Sequence, residues 1–143
     1  MIAGGIATVA AKALVEGAEG LRNYAVALFQ PLAPMLAQPA DDIESALSRI
    51  PMAALEWKLD GARVQAHKDG NDVRIFSRTG NDVSSAVPEI VAAVQGVAAR
   101  ALILDGEAIA LRPGGAPYPF QETMSRFGRA LDIEAARADM PLS

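Results

Sequence analysis

Two short alternating runs, Arg63 to His67 and Val73 to Ser77, flank the segment Lys68-Asp-Gly-Asn-Asp72. Glycine and asparagine tolerate the backbone angles of a tight reversal, so these runs read as an antiparallel hairpin. A hairpin needs further strands or helices to bury its apolar face. The flanks supply candidates: Ala54 to Leu59 reads as a preceding strand, and Ala101 to Leu104 as a following one, continued past Gly106 by Ala108 to Leu111. Helical spacing of apolar residues recurs in 6–19 (Ile6, Val9, Ala10, Ala13, Leu14), with a further turn or two through Leu21, Tyr24, Ala25 and Leu28. It appears again from Val83 to Ala99, where Val87, Ile90, Val91 and Val94 share a face, and in Phe120 to Phe127 and Leu131 to Ala138. Asp41 or Asp42 caps a short helix through Ile43, Ala46, Leu47 and Ile50, which Pro51 ends. Pro31, Pro34 and Pro39 hold the segment before it extended. The expectation is an α+β fold built on antiparallel sheet.

Composition narrows the chemistry. The 143 residues contain no cysteine and one histidine, which excludes disulfides, thiol catalysis and multi-histidine metal sites within this chain. Hydrophobic residues make up 51% and charged residues 21%, as in a globular domain. The net charge of −4 gives no bulk attraction to nucleic acid, although a local basic groove is a separate matter. No apolar run approaches the roughly 18 residues of a spanning helix. The apolar Met1 to Leu14 has no basic residues before it, so neither a membrane nor a secretory route is expected.

The segment Leu55-Glu-Trp-Lys-Leu-Asp-Gly-Ala-Arg-Val64 concentrates reactive groups. In a strand, Glu56 and Lys58 share one face and Leu55, Trp57 and Leu59 the other, which is then the core face. A lysine nucleophile must lose its proton, and neighbouring positive charge such as Arg63 favours that. Taken alone, a K-x-D-G string is more commonly part of a surface hairpin with ordinary ion pairs. Two other segments raise its standing. Phe76-Ser-Arg-Thr-Gly80 puts Arg78 at the end of the next strand, and Leu104-Asp-Gly-Glu-Ala108 puts Asp105 and Glu107 on one face of another. Three strand ends thus present Glu/Lys, Arg and Asp/Glu towards one pocket. Elsewhere the alternation puts Gln65 and His67 on a solvated strand face and Lys68 in an exposed turn. Asp105 reads as bonding its own turn. Arg126 and Arg129 around Phe127 read as a nucleic-acid-facing edge or as a solvated helix face.

These segments resemble the ATP-dependent DNA ligases among the covalent nucleotidyltransferases. Glu56-Trp-Lys-Leu-Asp-Gly-Ala-Arg63 is similar to their first motif, E-x-K-x-D-G-x-R, Ser77-Arg-Thr-Gly80 to the next element, and Asp105-Gly-Glu107 to the third. Pro31-Leu-Ala-Pro-Met-Leu-Ala37 resembles the lead-in to the adenylation domain, and Pro119 to Arg129 a stretch that follows the third motif. The resemblance implies an antiparallel-sheet, ATP-grasp-like adenylation domain with the nucleotide between sheets. Residues 30–143 would be its N-terminal part, and 1–29 a helical remnant of a DNA-binding domain.

The implied activity is sealing of nicks in duplex DNA, in replication, recombination or repair, with Mg²⁺ or Mn²⁺ as metal, in a bacterial or archaeal cytoplasm at the nucleoid. Lys58 would become the AMP-lysine, Glu56 would recognise adenine, and Arg63 and Arg78 would contact the nucleotide and later the 5′-phosphate of the nick. Glu107 would bind ribose or metal, with Asp60 as a metal partner. The family's later motifs, E-G-x-x-x-K and K-x-K, do not occur in the sequence. The chain therefore reads as a truncated catalytic domain, inactive by itself. RNA ligases and capping enzymes share the K-x-D-G chemistry and stand as the alternative, beside a non-catalytic nucleotide-binding fragment.

Overall fold

The computed structural model describes residues 6–22, 24–50 and 52–143. Strand β1 (Ala62–Asp69) lies at the centre of a three-stranded antiparallel sheet, between β2 (Asp72–Ser77) and β3 (Ala101–Ala108). The hairpin forms as the sequence predicts, with Asp69 opposite Asp72 and a two-residue loop in which Gly70 holds φ at 59°. Positive φ at the first loop residue suits a II′ turn, whose twist matches that of the strands. β3 runs straight through Gly106 rather than breaking there, pairing from Ala62↔Ala108 to Asp69↔Ala101.

Alternation along β1 gives the sheet two different faces. On one, Ala62, Val64 and Ala66 join Val73, Ile75 and Ala108 in the core. The predicted helix over 83–99 resolves into a 3-10 turn (Ser84–Ala86) and α3 (Pro88–Gln95), with Pro88 opening the helix where its missing N–H is not needed. Val87 and Val94 are buried on this face, with Ile90 and Val91 packed beside them. Ile75 and Val87 are wholly buried, and each such aliphatic side chain contributes roughly 1.5–3 kcal/mol.

Lys68 belongs to this face too, and its expected exposure is overturned. It is 5% exposed, and its ammonium donates to the carbonyls of Gln95 (2.8 Å) and Val97. A cation there satisfies orphan carbonyls at the C-terminal end of α3 and complements its dipole.

The opposite face carries Arg63, Gln65 and His67, with Phe76 and Arg74 beside them on β2 and Asp105 and Glu107 on β3. The expectation that Gln65 and His67 are solvated fails. A segment that turns at Phe29 and runs extended from Gln30 crosses this face as a strap: Phe29 N–H donates to His67 Nδ1 (2.8 Å), and Leu32 exchanges hydrogen bonds with the Gln65 amide. His67 is fully buried.

Helices α4 (Phe120–Phe127) and α5 (Ile133–Asp139) form near their predicted places. Arg126 is neither a nucleic-acid edge nor a solvated residue. At 4% exposure it pairs with Glu89 (2.6 Å) and donates to the carbonyls of Ala86 and Met140. One guanidinium thereby ties α3, the 3-10 turn and the end of α5 together. Arg129 is exposed. Helix α1 (Ile6–Arg22) kinks at Gly17, and α2 (Ile43–Arg49) starts at Asp42, whose carboxylate accepts the Ser45 N–H (2.7 Å). The expected helical turns through Tyr24 and Leu28 do not form. Pro51 lies outside the described residues. No helix among those described is long and apolar enough to cross a membrane.

Two predictions follow from this packing. Arg126→Met leaves Glu89 buried without its partner, so unfolding in urea should show a loss of about 3–5 kcal/mol. Adding Glu89→Leu should restore much of it, and a single variant within about 1 kcal/mol of the parent would contradict the stapling role.

The second concerns acid. Burial lowers the His67 pKa from its ordinary 6.5, so the neutral ring is the folded form and stability should decline as pH falls below that value. Asp105, lowered from 3.8 mainly by hydrogen bonding from Arg63, holds its contribution to lower pH and loses it below about 4. Thermal melts should therefore show two acid limbs. His67→Asn, which keeps an acceptor for Phe29 but cannot protonate, should remove the upper limb alone.

Candidate functional site

The chain enters β1 through a constriction at Gly61. A Cβ there would lie 2.3 Å from the Ala108 carbonyl oxygen and 2.5 Å from Ile109 Cγ2, so no larger residue fits without a shift. Glu107 fixes the same point by accepting the Gly61 N–H through Oε1 (3.0 Å). The loop carrying Lys58 and Asp60 is thus anchored against the end of β3.

The predicted strand over Ala54 to Leu59 is absent, and residues 52–60 are all exposed. β1 has β2 on one edge and β3 on the other, so it offers no free ladder to this segment. Its apolar side chains find no facing layer among the described residues. Trp57, expected as a core anchor, is 94% exposed. Lys58 and Asp60 are open to water and 3.9 Å apart, a separation that contributes little at a surface.

Arg63 projects from the polar face of β1 and meets Asp105 in a bidentate pair, Nε to Oδ1 at 2.8 Å and Nη2 to Oδ2 at 2.5 Å. Asp105 therefore bonds across the sheet and not within its own turn. The pair raises the Arg63 pKa above its ordinary value and lowers that of Asp105. Its main effect is geometric, because a two-point contact fixes the guanidinium plane. Arg78 sits just past β2, in a turn closed by Gly80 N–H to the Ser77 carbonyl (2.9 Å), with Gly80 at φ 84°. Arg78 is exposed and has no ion-pair partner among the described residues.

These groups converge. A cleft of about 390 Å³ is lined by Lys58, Asp60, Gly61, Arg63, Arg78 and Glu107 on its polar side, and by Phe120, Met124 and Phe127 of α4 on the other. A shallower depression of about 410 Å³ adjoins it, where Glu56 and Trp57 meet Lys58, Arg63, Asp105 and Glu107. All six residues singled out from the sequence thus line one or both of two adjoining depressions. The apolar wall was missed, although Phe120, Met124 and Phe127 recur at i, i+4 and i+7, the spacing of one helix face. Asp105 was missed as the partner of Arg63.

Cationic groups beside an apolar wall can hold an anionic ligand with a flat apolar part. As for a metal, no cluster of three or more candidate ligands occurs among the described residues. Asp60 and Glu107 offer two carboxylates on one cleft, a donor set that suits Mg²⁺ when substrate phosphates complete the shell.

Comparison with known proteins bears on this arrangement. The family model described as ATP dependent DNA ligase domain matches residues 34–143. A "Probable DNA ligase" of Anaeromyxobacter sp. (strain Fw109-5) is 58% identical over 143 residues, which is all of this chain and 28% of that protein. One from Sorangium cellulosum (strain So ce56) is 57% identical over 142 residues, 99% of this chain and 27% of its own length. Among solved structures, "mycobacterial DNA ligase D complexed with ATP and MES" aligns at a TM-score of 0.46 and 28% identity, covering 62% of this chain and 26% of that one. The chain spans little more than a quarter of the length of the curated relatives it matches. With the family model covering everything from Pro34 to Ser143, the chain belongs to the ATP dependent DNA ligase domain family.

Proposed function

We propose that this chain carries the nucleotide-binding part of a ligase that seals nicks in duplex DNA with ATP. The observation that carries the reading is the convergence of Lys58, Arg63, Arg78, Asp60 and Glu107 on one cleft with an apolar wall. Residues 30–143 are then the first part of the adenylation domain, and 1–29 the end of a DNA-binding unit. The protein would work in the cytoplasm at the nucleoid, where its duplex substrate lies.

In this mechanism the neutral Lys58 amine attacks the α-phosphorus of ATP. A phosphorus–nitrogen bond forms, the bond to the bridging oxygen breaks, and pyrophosphate leaves with the electron pair. Arg63 and Arg78 face the charge that builds on the phosphates, and Arg63 meets them already oriented by Asp105, so little reorganisation remains for the reaction step. Glu56 accepts a hydrogen bond from the adenine edge. Asp60 and Glu107 would hold Mg²⁺ or Mn²⁺, which supplies neutralisation of phosphate charge when bound. AMP then passes from Lys58 to the 5′-phosphate of the nick, where the same two arginines serve again, and the 3′-hydroxyl displaces it.

A hybrid in which this chain replaces the matching segment of a full-length relative provides the test. Incubated with ATP labelled at the α-phosphate, it should acquire acid-labile label on Lys58. Lys58→Ala and Lys58→Arg should both lower labelling by roughly a thousandfold or more, since a guanidinium stays protonated and cannot attack. Label retained in either would remove Lys58 from its role. The 143-residue chain alone should label weakly and seal no nicks, because nothing among its described residues shields Lys58 from water and positioning supplies much of the rate.

Glu56→Ala in the hybrid should reduce the preference for ATP over GTP by about tenfold, the loss of one recognition hydrogen bond. An unchanged ratio would remove Glu56 from base recognition and leave Lys58 untouched.

A further inference from the structure

The strap across the polar face of β1 is held by more polar contacts than packing alone requires. Phe29 N–H donates to His67 Nδ1, so the ring proton sits on Nε2, which points to Gln65 Oε1 at 3.3 Å. Gln65 Oε1 also accepts the Leu32 N–H (2.8 Å), while its Nε2 donates to the Leu32 carbonyl (3.2 Å). The side-chain amide thus pairs with the strap backbone as a neighbouring strand would. Phe29 is held at φ 62°, a left-handed conformation that is strained for a non-glycine residue and persists only when its surroundings fix it. Arg74 lies over the Phe29 ring at 4.9 Å, and Phe76 meets His67 edge-on at 5.0 Å.

The strap leads to the cleft. Leu32 and Pro34 close over a small void bounded by Arg63, Gln65, Arg78 and Asp105. Pro31 reaches the turn that carries Arg78, its Cγ lying 3.6 Å from where a Cβ on Gly80 would be. Gln65 stands directly opposite Asp105 in the sheet register, and Asp105 is the residue that orients Arg63. Gln65 therefore touches both the strap and the support of a cleft arginine.

We infer that Gln65 and His67 are positioning residues for the nucleotide cleft, clamping the Phe29–Pro34 strap across β1 so that Arg63 and the Arg78 turn are held towards the phosphates. This rests on the nucleotide reading given above. It makes the segment ahead of the Lys58 loop part of the binding machinery rather than a passive connection. The charged groups facing His67 and Gln65 are Arg74 from β2, Asp105 from β3 and Arg63 on β1 itself. None of them pairs with His67, whose contacts demand a neutral ring.

The test uses the same hybrid and the rate of Lys58 labelling as a function of ATP concentration. Gln65→Met keeps the volume and loses both bonds to Leu32. It should raise KM for ATP about tenfold, with kcat within about threefold, because a displaced phosphate contact weakens ground state and transition state alike. A purely structural role would lower the active fraction, and so kcat, without moving KM. In an Arg63→Ala background the same substitution should have a smaller effect than in the parent, since the share that passes through Arg63 is gone and only the share through the Arg78 turn remains.

Should Gln65→Met fail to fold, the His67 pair carries the test: His67→Asn, which keeps an acceptor for Phe29, should stay near the parent KM, and His67→Leu should raise it. An unmoved KM in the folded variants, or an undiminished effect of Gln65→Met without Arg63, overturns the inference while Lys58 labelling of the parent hybrid stands. Absence of label at Lys58 in that parent overturns the nucleotide reading and this inference with it.

Discussion

Both faces of β1 have to be covered, because as the middle strand of three it has β2 and β3 along its two edges and helix or strap above and below. On one face Ala62, Val64 and Ala66 are small and let α3 settle close onto the sheet, with Lys68 reaching the end of that helix. On the other face Arg63, Gln65 and His67 are long and polar, and they could not be roofed by an apolar helix without stranding donors and acceptors. A strap of extended backbone meets that need, since it brings unpaired N–H and C=O groups of its own. The proline content that keeps residues 31–39 out of a helix is what leaves those groups available.

The same logic explains where the charged side chains went. Lys68 and Arg126 are both buried, yet each ends on carbonyls that the fold would otherwise leave unpaired, at the end of α3 for Lys68 and at Ala86 and Met140 for Arg126. Glu89 in turn accepts from Arg126 and from the Leu142 N–H through one oxygen, while its other oxygen has no partner among the described residues. That imbalance makes the junction of α3, α4 and α5 dependent on Arg126, because a buried carboxylate with its cation removed has few remaining bonds to lean on.

Much of the fold was legible from local chemistry. The Gly70 reversal, the Asp42 cap, the Pro88 start and the apolar stripe of α3 each rest on residues within one turn or hairpin of each other, and sequence spacing reports such short-range relations directly. The errors share a cause of the opposite kind. Polar residues are usually exposed, so His67, Gln65 and Lys68 read as solvated and Arg126 as a nucleic-acid-facing edge or a solvated helix face, and what buries them are backbone groups 14 to 40 residues away. No period in the sequence encodes which distant carbonyl a side chain will reach. Trp57 failed the other way: alternation correctly marks an apolar face from Leu55 to Leu59, but a face becomes a core only when another layer meets it. At the site, the motif spacing identified the polar lining, while the partnership of Arg63 with Asp105 depended on a strand register that the sequence leaves open.

Anchoring and freedom are divided unevenly around Lys58. Gly61 and Glu107 fix the base of its loop, Asp105 fixes Arg63, and the strap packs beside Arg63 and Arg78. Lys58, Asp60 and Arg78 themselves are exposed and weakly held. A lysine that, as proposed, first attacks one phosphate and then surrenders the group to another would gain from this arrangement. On the proposed reading, the anchored residues would set where the phosphates lie, and Lys58 would keep the latitude to follow the transferred group. The precision of the site is therefore stored in the sheet and the strap, while the loop between them holds its groups open to water.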